Sequence, residues 1–352
     1  MTPDSTTTTK PPATASYQGV DDGGQPLWRG LVRWETALVF VLIAVLIFGS
    51  AQSSDFLNGS NFFYISLNMG EIAIMALPLT LIVMTGEIDL SVASMLGLSG
   101  TVMGSLFHDG WSVWAAMAAA LAVGAAGGAL NGLLVAKMGL PSIAVTIGTL
   151  TLFRGLSEIV LAPRTITGFP ISLTKIGVMP VQGTQIAWSA LIFLVLAVVF
   201  GVVLHATSMG RSIVAIGLQP EAARFSGVRV DRIKFGLYVV SGLFCALAGI
   251  LFTLKNSSVS YDAGTGLELN VVAIVLLGGV SIFGGRGTVI GVVLAVAIVG
   301  CLQQALTQMG VQPEVQNIVT GALLLVSVVV PNGGELLRRA RARTRRGAVP
   351  AA

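Results

Sequence analysis

Long apolar runs, separated by short polar segments, occupy most of the chain. A helix needs about 20 mainly apolar residues to cross the hydrocarbon core of a bilayer. Runs close to this length occur at 34–51, 62–84, 90–107, 112–135, 142–161, 185–205, 234–254, 268–284, 287–307 and 314–331. The pattern therefore predicts an all-α polytopic membrane protein with about ten transmembrane helices and both termini on one side.

One of these runs differs from the others in length. The run 268–284 is short, and it ends in the pair Gly278-Gly279. We expect a helix that breaks near this pair, because glycine weakens a helix interior. Between Gly278 and Gly287 the backbone amides and carbonyls then have no partners within a helix, so they are able to line a water-filled path.

The composition supports a membrane protein and excludes several other classes. Hydrophobic residues make up 54% of the 352 residues and charged residues only 10%, too few to cover a soluble domain of this size. Cys245 and Cys301 lie in apolar runs, without metal-ligand spacing. We expect no disulfide, no metal site, no cofactor and no catalytic residue.

The distribution of Lys and Arg predicts the orientation. With both termini in the cytoplasm, only Arg164, Lys175 and Lys255 lie on the outer side, while the other basic residues lie inside. The positive-inside rule therefore favours cytoplasmic N- and C-termini.

The same reading divides the chain into three parts. Residues 1–33 are polar and rich in Thr, Pro and Gly, which predicts a disordered cytoplasmic tail. Residues 34–331 form the transmembrane domain, and residues 332–352 form an Arg-rich cytoplasmic tail. The Arg-rich tail directly follows the last span, so we expect it to contact anionic lipid and not nucleic acid.

The longest charged inner loop, 206–233, carries a candidate helix. Pro220 suits the first position of a helix, and the helix is predicted to end before Gly227. A short helix held between two spans is able to fit into a partner protein. An ordinary solvated loop is the alternative.

Several segments of the sequence resemble one family. The segment Glu221-Ala222-Ala223, followed by Gly227, matches the start of the EAA signature by which ABC-importer permeases contact their ATPase subunits, although the later part of that signature is absent. Three further segments, 85–92, 131–155 and 277–288, follow the same order as in the ribose/xylose/rhamnose class of ABC permeases. The resemblance covers about residues 36 to 330.

Two further segments narrow the resemblance. Residues 76–80 and 302–324 look most similar to autoinducer-2 and rhamnose permeases. Glu87 departs from the family pattern, which usually has a second glycine there. Because this residue is bulkier and charged, the detailed geometry of the family's turn does not carry over to this position.

The resemblance implies a function, a location and a set of partners. It implies a permease subunit of a bacterial inner-membrane ABC importer, which forms the path for a monosaccharide or sugar-like solute such as rhamnose, a ribose-type sugar or autoinducer-2. ATP hydrolysis then belongs to separate ATPase subunits. The other implied partners are a second permease copy or paralogue and an extracytoplasmic solute-binding protein. The residues expected to couple to the ATPase are Gly210, Arg211, Gly217, Glu221, Ala222, Ala223 and Gly227.

Polar residues within or beside the spans are candidates for the solute path, since such residues are costly in lipid. They are Asn68, Glu71, Asp89, Ser91, Thr146, Thr149, Asn270 and Gln303. Hydrogen bonds between helices are the alternative role for each of them, and N-capping is the alternative for Asp89 and Ser91. Arg154 and Glu158 are predicted to pair with each other, whereas Glu71 has no partner at helical spacing and is the best single candidate for the solute path.

Two other functional classes have weaker support in the sequence. An ion-coupled secondary transporter needs buried carboxylates as coupling sites. Glu71 is the single candidate for such a site, so the sequence supports this class only weakly. An intramembrane enzyme needs a metal site, a Ser–Lys pair or paired aspartates, and none occurs at suitable spacing. The glycine-rich segment 279–286 lacks the Lys-Ser/Thr pair of a phosphate-binding loop and follows a membrane span, so it does not predict nucleotide binding.

Overall fold

The computed structural model describes residues 34–161, 163–326 and 329. The predicted tails 1–33 and 332–352 lie outside the described residues. Most of the described chain is helical. The helices are α1 Trp34–Gln52, α2 Gly59–Met84, α3 Val92–His108, α4 Val113–Gly132, α5 Ser142–Leu161, α6 Ile171–Val178, α7 Trp188–Ala206, α8 Ser208–Leu218, α9 Pro220–Phe225, α10 Val230–Asn256, α11 Leu267–Leu277, α12 Val289–Gln308 and α13 Pro313–Val326.

Seven helices in the described part of the chain are long and apolar enough to cross a membrane. These are α1, α2, α4 with its π-helical extension Leu133–Lys137, α5, α7, α10 and α12. The prediction of a helical, multi-pass membrane protein is therefore confirmed. Three of the ten predicted spans correspond to shorter apolar helices, which are α3, α11 and α13.

Helix α2 forms the centre of the first group of helices. Its residues Met69–Met84 are all buried, and it packs against α7, α10, α11 and α12. Helix α1 packs on α12 at the outside of this group and exposes most of its apolar surface. In a membrane protein such outward apolar faces contact lipid. The buried helix α2 therefore lies in the interior of the bundle, and the exposed helix α1 lies at its surface.

Helices α3, α4, α5 and α10 form the second group, where small residues allow close packing. A Cβ on Gly124 of α4 would lie 2.4 Å from the carbonyl oxygen of Gly242 in α10. A Cβ on Gly128 would lie 2.2 Å from the carbonyl oxygen of Tyr238. The glycines of α4 therefore permit backbone contact between two helices, which is how small residues stabilise helix pairs in lipid.

A two-stranded antiparallel ladder joins distant parts of the second group. The strands β1 Ile166–Thr167 and β2 Ser258–Val259 pair with Ile166 opposite Val259. Val259 is buried and packs with Met103 of α3 and Leu254 of α10. The ladder and α6 thus cover the ends of α3 and α10 on the side that the sequence predicts to be external.

The run 268–284 is not one continuous helix. Helix α11 ends at Leu277, and Gly279 then takes a positive φ of 83°. At Gly278 the chain comes so close to α12 that a Cβ would lie 2.8 Å from the backbone of Val292. The break expected from the glycine pair is present: Gly279 provides the positive φ, and Gly278, with no Cβ, permits the close approach to α12.

Candidate functional site

A polar cavity of about 260 Å³ lies between α2, α11, α12 and α13. Six amide side chains line it, together with Thr307, Pro313 and apolar residues, and no charged residue is among the lining residues. The amides are Asn68, Asn270, Gln303, Gln304, Gln316 and Asn317. Three predicted path residues, Asn68, Asn270 and Gln303, are therefore brought together from three different helices.

The amide side chains of this cavity differ in the hydrogen bonds that they form with other residues. Gln304 donates from Nε2 to Oδ1 of Asn61 at 2.7 Å, and Gln303 makes only a long contact of 3.4 Å with Thr320. The side chains of Asn68, Asn270 and Asn317 form no hydrogen bond with another residue in the described ranges. Their donors and acceptors are available to a molecule in the cavity.

Asp89 and Ser91 belong to a second, separate group of polar residues. Asp89 is 3% exposed, and its Oδ1 accepts hydrogen bonds from the backbone N–H and the hydroxyl of Ser91. Asn131 donates to Ser91 Oγ at 2.8 Å, and Ser241 donates to Asp89 Oδ2 at 3.3 Å. This network ties the turn before α3 to α4 and α10, and burial raises the pKa of the Asp89 carboxyl.

The capping role predicted for Asp89 and Ser91 takes a different form. Ser91 occupies the N-cap position of α3, but its side chain caps no helical N–H. The hydroxyl instead donates to Asp89 and accepts from Asn131. A network across helices thus replaces the local cap.

Thr146 and Thr149 also lie outside the cavity. The Thr146 hydroxyl donates to the carbonyl of Ser142 at 2.8 Å and contacts that of Ile88 at 3.4 Å. Thr149 contacts the carbonyl of Thr146. Both threonines are buried in α5. Their hydroxyl groups contact carbonyls of α5 itself and, for Thr146, the turn that contains Ile88.

Glu71 is buried and forms an ion pair that the sequence did not predict. Its side chain is 2% exposed, and Lys255 Nζ donates to its Oε2 at 2.9 Å. The second oxygen, Oε1, has no hydrogen-bond partner among the described residues. Glu71 does not line the polar cavity, although it lies one helical turn from Asn68 on α2.

The predicted pair of Arg154 with Glu158 is wrong. Arg154 Nη1 donates to the carbonyl of Ala263 at 2.6 Å, and its Nη2 lies 3.9 Å from Glu268. Both of these partners come from the segment around α11. Arg154 therefore joins α5 to the start of α11, an arrangement that helical spacing alone cannot indicate.

The loop 206–233, which the sequence predicts to be cytoplasmic, forms two consecutive helices with a small core of their own. Helix α9 begins at Pro220, as predicted, and ends before Gly227, which has a φ of 84°. Ile216, Ala223 and Val230 are buried together beneath it. Of the predicted coupling residues, Arg211, Glu221, Ala222 and Gly227 are exposed, whereas Gly210 and Ala223 are buried and Gly217 is half-buried.

Gly217 marks the point where three segments of the chain meet. A Cβ on Gly217 would lie 1.9 Å from the carbonyl oxygen of Met84 and 2.2 Å from the amide of Gly285. The amide of Gly285 also donates to the carbonyl of Met84 at 2.8 Å. The end of α2, the end of α8 and the glycine-rich turn after α11 are thus packed backbone to backbone.

Glu87, which departs from the family pattern, pairs with Lys234 at the start of α10. Both side chains are largely buried, with 19% and 12% of their surface exposed. The charge at position 87 is therefore balanced within the chain, in the turn that leads to Asp89.

No group of three or more His, Cys, Asp or Glu side chains able to hold a metal ion occurs among the described residues. Cys245 and Cys301 are free and buried thiols. The polar groups of the site suit hydrogen bonding to a neutral molecule and contacts between proteins.

Comparison with known families gives a match over most of the chain. Residues 61–328 match the family described as "Branched-chain amino acid transport system / permease component". No solved structure matches the chain.

Individual relatives agree on the role of the protein. The chain is 34% identical over 302 residues to the "Autoinducer 2 import system permease protein LsrD" of Escherichia coli O9:H4 (strain HS), which covers 84% of this chain and 91% of that protein. The protein of the same name from Shigella flexneri shows the same identity and coverage. In such importers a separate ATPase subunit hydrolyses ATP. The chain is therefore a multi-pass inner-membrane protein that belongs to this family of transport-system permease components, and it is a permease subunit of an ATP-binding-cassette importer.

Proposed function

We propose that this permease carries a neutral, sugar-like solute, of the class of rhamnose, ribose-type sugars or autoinducer-2. The observation that carries the proposal is the cavity lined by six amide side chains and no charged residue. Amides offer both donors and acceptors, which match the hydroxyl and carbonyl groups of a polyol.

The same cavity argues against an amino acid as the solute. A zwitterionic amino acid carries an ammonium and a carboxylate, and each costs several kcal/mol to bury without a compensating charge. The cavity offers none among its lining residues. The relatives are named for autoinducer 2 import, which agrees with a solute that has no fixed pair of charges.

Within the proposed path, the predicted residues have different roles. Asn68, Asn270 and Gln303 contact the solute, because they line the cavity. Glu71 holds α2 to α10 through Lys255, and Asp89, Ser91, Thr146 and Thr149 maintain the polar packing beside α3 and α5. An ion-coupled mechanism loses its main candidate, because the Glu71 carboxylate is already neutralised by a lysine.

The proposed topology has ten crossings with both termini in the cytoplasm. The shorter helices α3, α11 and α13 complete the ten crossings, and α11 does so together with the glycine-rich turn that follows it. This arrangement places α8 and α9 inside and the β1–β2 ladder outside, in agreement with the excess of Lys and Arg in the inner loops.

The partners follow from this topology. ATPase subunits dock on the α8–α9 region, where Arg211, Glu221, Ala222 and Gly227 are exposed. A solute-binding protein docks on the outer face, and a second permease, either a copy or a paralogue, completes the path. Anionic lipid contacts the Arg-rich C-terminal tail.

Reconstitution in proteoliposomes tests the proposal. Alone, the chain is expected to show neither ATP hydrolysis nor concentrative uptake, because it lacks a phosphate-binding loop. Addition of the ATPase, the solute-binding protein and, where the pair is a heterodimer, the paralogue should restore ATP-dependent uptake of a sugar-like solute. Concentrative uptake by the chain alone under a proton or sodium gradient would contradict the importer role.

A variant in the same assay tests the path. Asn270→Leu removes one free amide from the cavity, so uptake should fall roughly tenfold, the effect of about one lost hydrogen bond of 1.4 kcal/mol. ATP hydrolysis should remain. Asn256→Leu is the control, since Asn256 is an exposed amide that does not line this cavity. Equal loss of uptake in both variants would argue against the cavity as the path.

A further inference from the structure

The inner face carries exposed apolar side chains outside any membrane-spanning helix. Phe225, at the end of α9, is 92% exposed, Leu218, at the end of α8, is 65% exposed, and Phe283, in the turn after α11, is 74% exposed. Exposed apolar residues on spanning helices face lipid and need no other partner. These three stand beside charged residues in inner loops, so their exposure marks a contact surface.

The turn around Phe283 is firmly held in one conformation. The amide of Ser281 donates to the carbonyl of Arg286 at 2.9 Å, and the amide of Gly284 donates to that of Ser281 at 2.9 Å. Gly284 and Gly285 have positive φ angles of 83° and 74°. The hydrogen bond from Gly285 to Met84 attaches the turn to the end of α2. Such a turn presents an aromatic side chain at little entropic cost, as binding anchors require.

The turn is continuous with the surface of α8. A Cβ on Gly285 would lie 2.6 Å from Cδ2 of Leu218, and one on Gly284 would lie 2.8 Å from the backbone of Gly217. Leu218 shortly precedes α9, which presents Phe225. The apolar surface therefore spans two segments that are 65 residues apart between Leu218 and Phe283.

The charges around this surface indicate the kind of partner. Arg211, Arg229, Arg232 and Arg286 are exposed in the same two segments. Arg224 is also exposed but pairs with Asp231, which leaves Glu221 as the one other exposed acid in these segments. An apolar centre with a basic rim fits a partner groove that is apolar inside and acidic at its edge.

We propose that the ATPase subunit docks on this permease at two segments, on α8–α9 through Leu218 and Phe225 and on the turn 281–286 through Phe283. This inference rests on the proposed function and adds a second contact to it. The turn lies between α11 and α12, which carry Asn270, Gln303 and Gln304 of the polar cavity. Movement of the ATPase against Phe283 is thereby transmitted to the walls of the cavity without passing through α10.

Cross-linking in the reconstituted importer tests the second contact. Phe283→Cys and Ser226→Cys are each labelled with a short reagent that carries a maleimide at one end and a photoreactive group at the other. Each labelled variant is then irradiated with the ATPase that restores transport to the wild-type chain, so that the photoreactive group inserts into a bond of any neighbouring ATPase residue. The native Cys245 and Cys301 are buried and give little background. Both introduced cysteines should cross-link to the ATPase, whereas Trp111→Cys, an exposed aromatic position between α3 and α4, should not.

Affinity provides the second measurement. Phe283→Ser should weaken ATPase binding by a factor of roughly 30 or more, as expected for an aromatic anchor at an interface. Trp111→Ser should leave it unchanged. Cross-linking at Ser226→Cys without any at Phe283→Cys, or an unchanged affinity in Phe283→Ser, would overturn the second contact and assign Phe283 to the lipid headgroups. Wild-type transport in the same preparation shows whether the proposed function itself holds.

Discussion

Glu71 and Lys255 show how a charge is kept inside the membrane domain. The two residues lie 184 positions apart, on α2 and α10, and Glu71 is almost completely buried. A buried ion pair adds little net stability over apolar residues, but removal of one partner leaves an uncompensated charge. We therefore interpret the pair as a link between the two helix groups and not as a site of ion coupling.

This interpretation predicts the behaviour of single and double variants. Lys255→Met should lower the free energy of unfolding by about 3–5 kcal/mol, because it leaves the Glu71 carboxylate buried and unpaired. The double variant Glu71→Leu with Lys255→Met should recover most of that loss. Thermal unfolding in detergent measures both, with Lys175→Met, at an exposed position, as the control. A double variant no more stable than Lys255→Met would show that the pair is not the cause.

At the scale of elements, the contact of α8 with the end of α2 and the turn after α11 is the feature most relevant to function. The three segments meet at Gly217, and the backbone atoms of Met84 and Gly285 leave no room for a side chain. Because backbone contacts of this kind do not yield by a rotamer change, a shift of α8 must move the other two segments. The junction thereby connects the proposed ATPase-docking region to α2, α11 and α12.

A methyl group at this junction should separate the three segments. Gly217→Ala should cost about 1–3 kcal/mol of stability, as overpacking does, and should reduce uptake more than ATP hydrolysis in the reconstituted importer. Gly236→Ala is the matched control in α10, since no neighbouring atom lies within 4 Å of the position that a Cβ would take there. Alanine at this control position should be neutral or slightly stabilising, because it is the better helix former. Unchanged transport in Gly217→Ala would mean that the junction does not transmit motion.

At the scale of the whole molecule, ten crossings require that the short helices α3, α11 and α13 separate the two sides of the membrane. Helix α3 has 17 residues and α11 only 11. A helix of 11 residues is about 17 Å long, which is shorter than the hydrocarbon core. The glycine-rich turn must therefore complete this crossing, and protein must cover its backbone from lipid, since irregular backbone is not tolerated against lipid.

Cysteine labelling of intact cells checks this topology. Cysteines that replace Asp55, Asp109, Tyr261 and Gln312, all exposed, should react with a membrane-impermeant maleimide from outside. Ser226→Cys should react only after the membrane is permeabilised. If α3 does not cross, Asp55→Cys and Asp109→Cys will lie on opposite sides, and if α11 does not cross, Tyr261→Cys and Gln312→Cys will do so.

The sequence by itself determined the features that depend on residues close together in the chain. Apolar runs of about 20 residues indicate membrane helices, because a helix of that length matches the thickness of a typical hydrocarbon core. Helix α9 follows from Pro220 and Gly227, whose backbone preferences are local. The break after α11 follows from its glycine pair, and the family segments were recognisable in order along the chain.

Only the tertiary structure decided which of the polar residues meet. Asn68, Asn270 and Gln303 line one cavity, whereas Glu71, one turn from Asn68, faces Lys255 instead. Arg154 reaches Ala263 and Glu268, although Glu158 is closer in sequence. Helical spacing reports which residues share a face, but the partner of that face depends on how distant helices pack against each other.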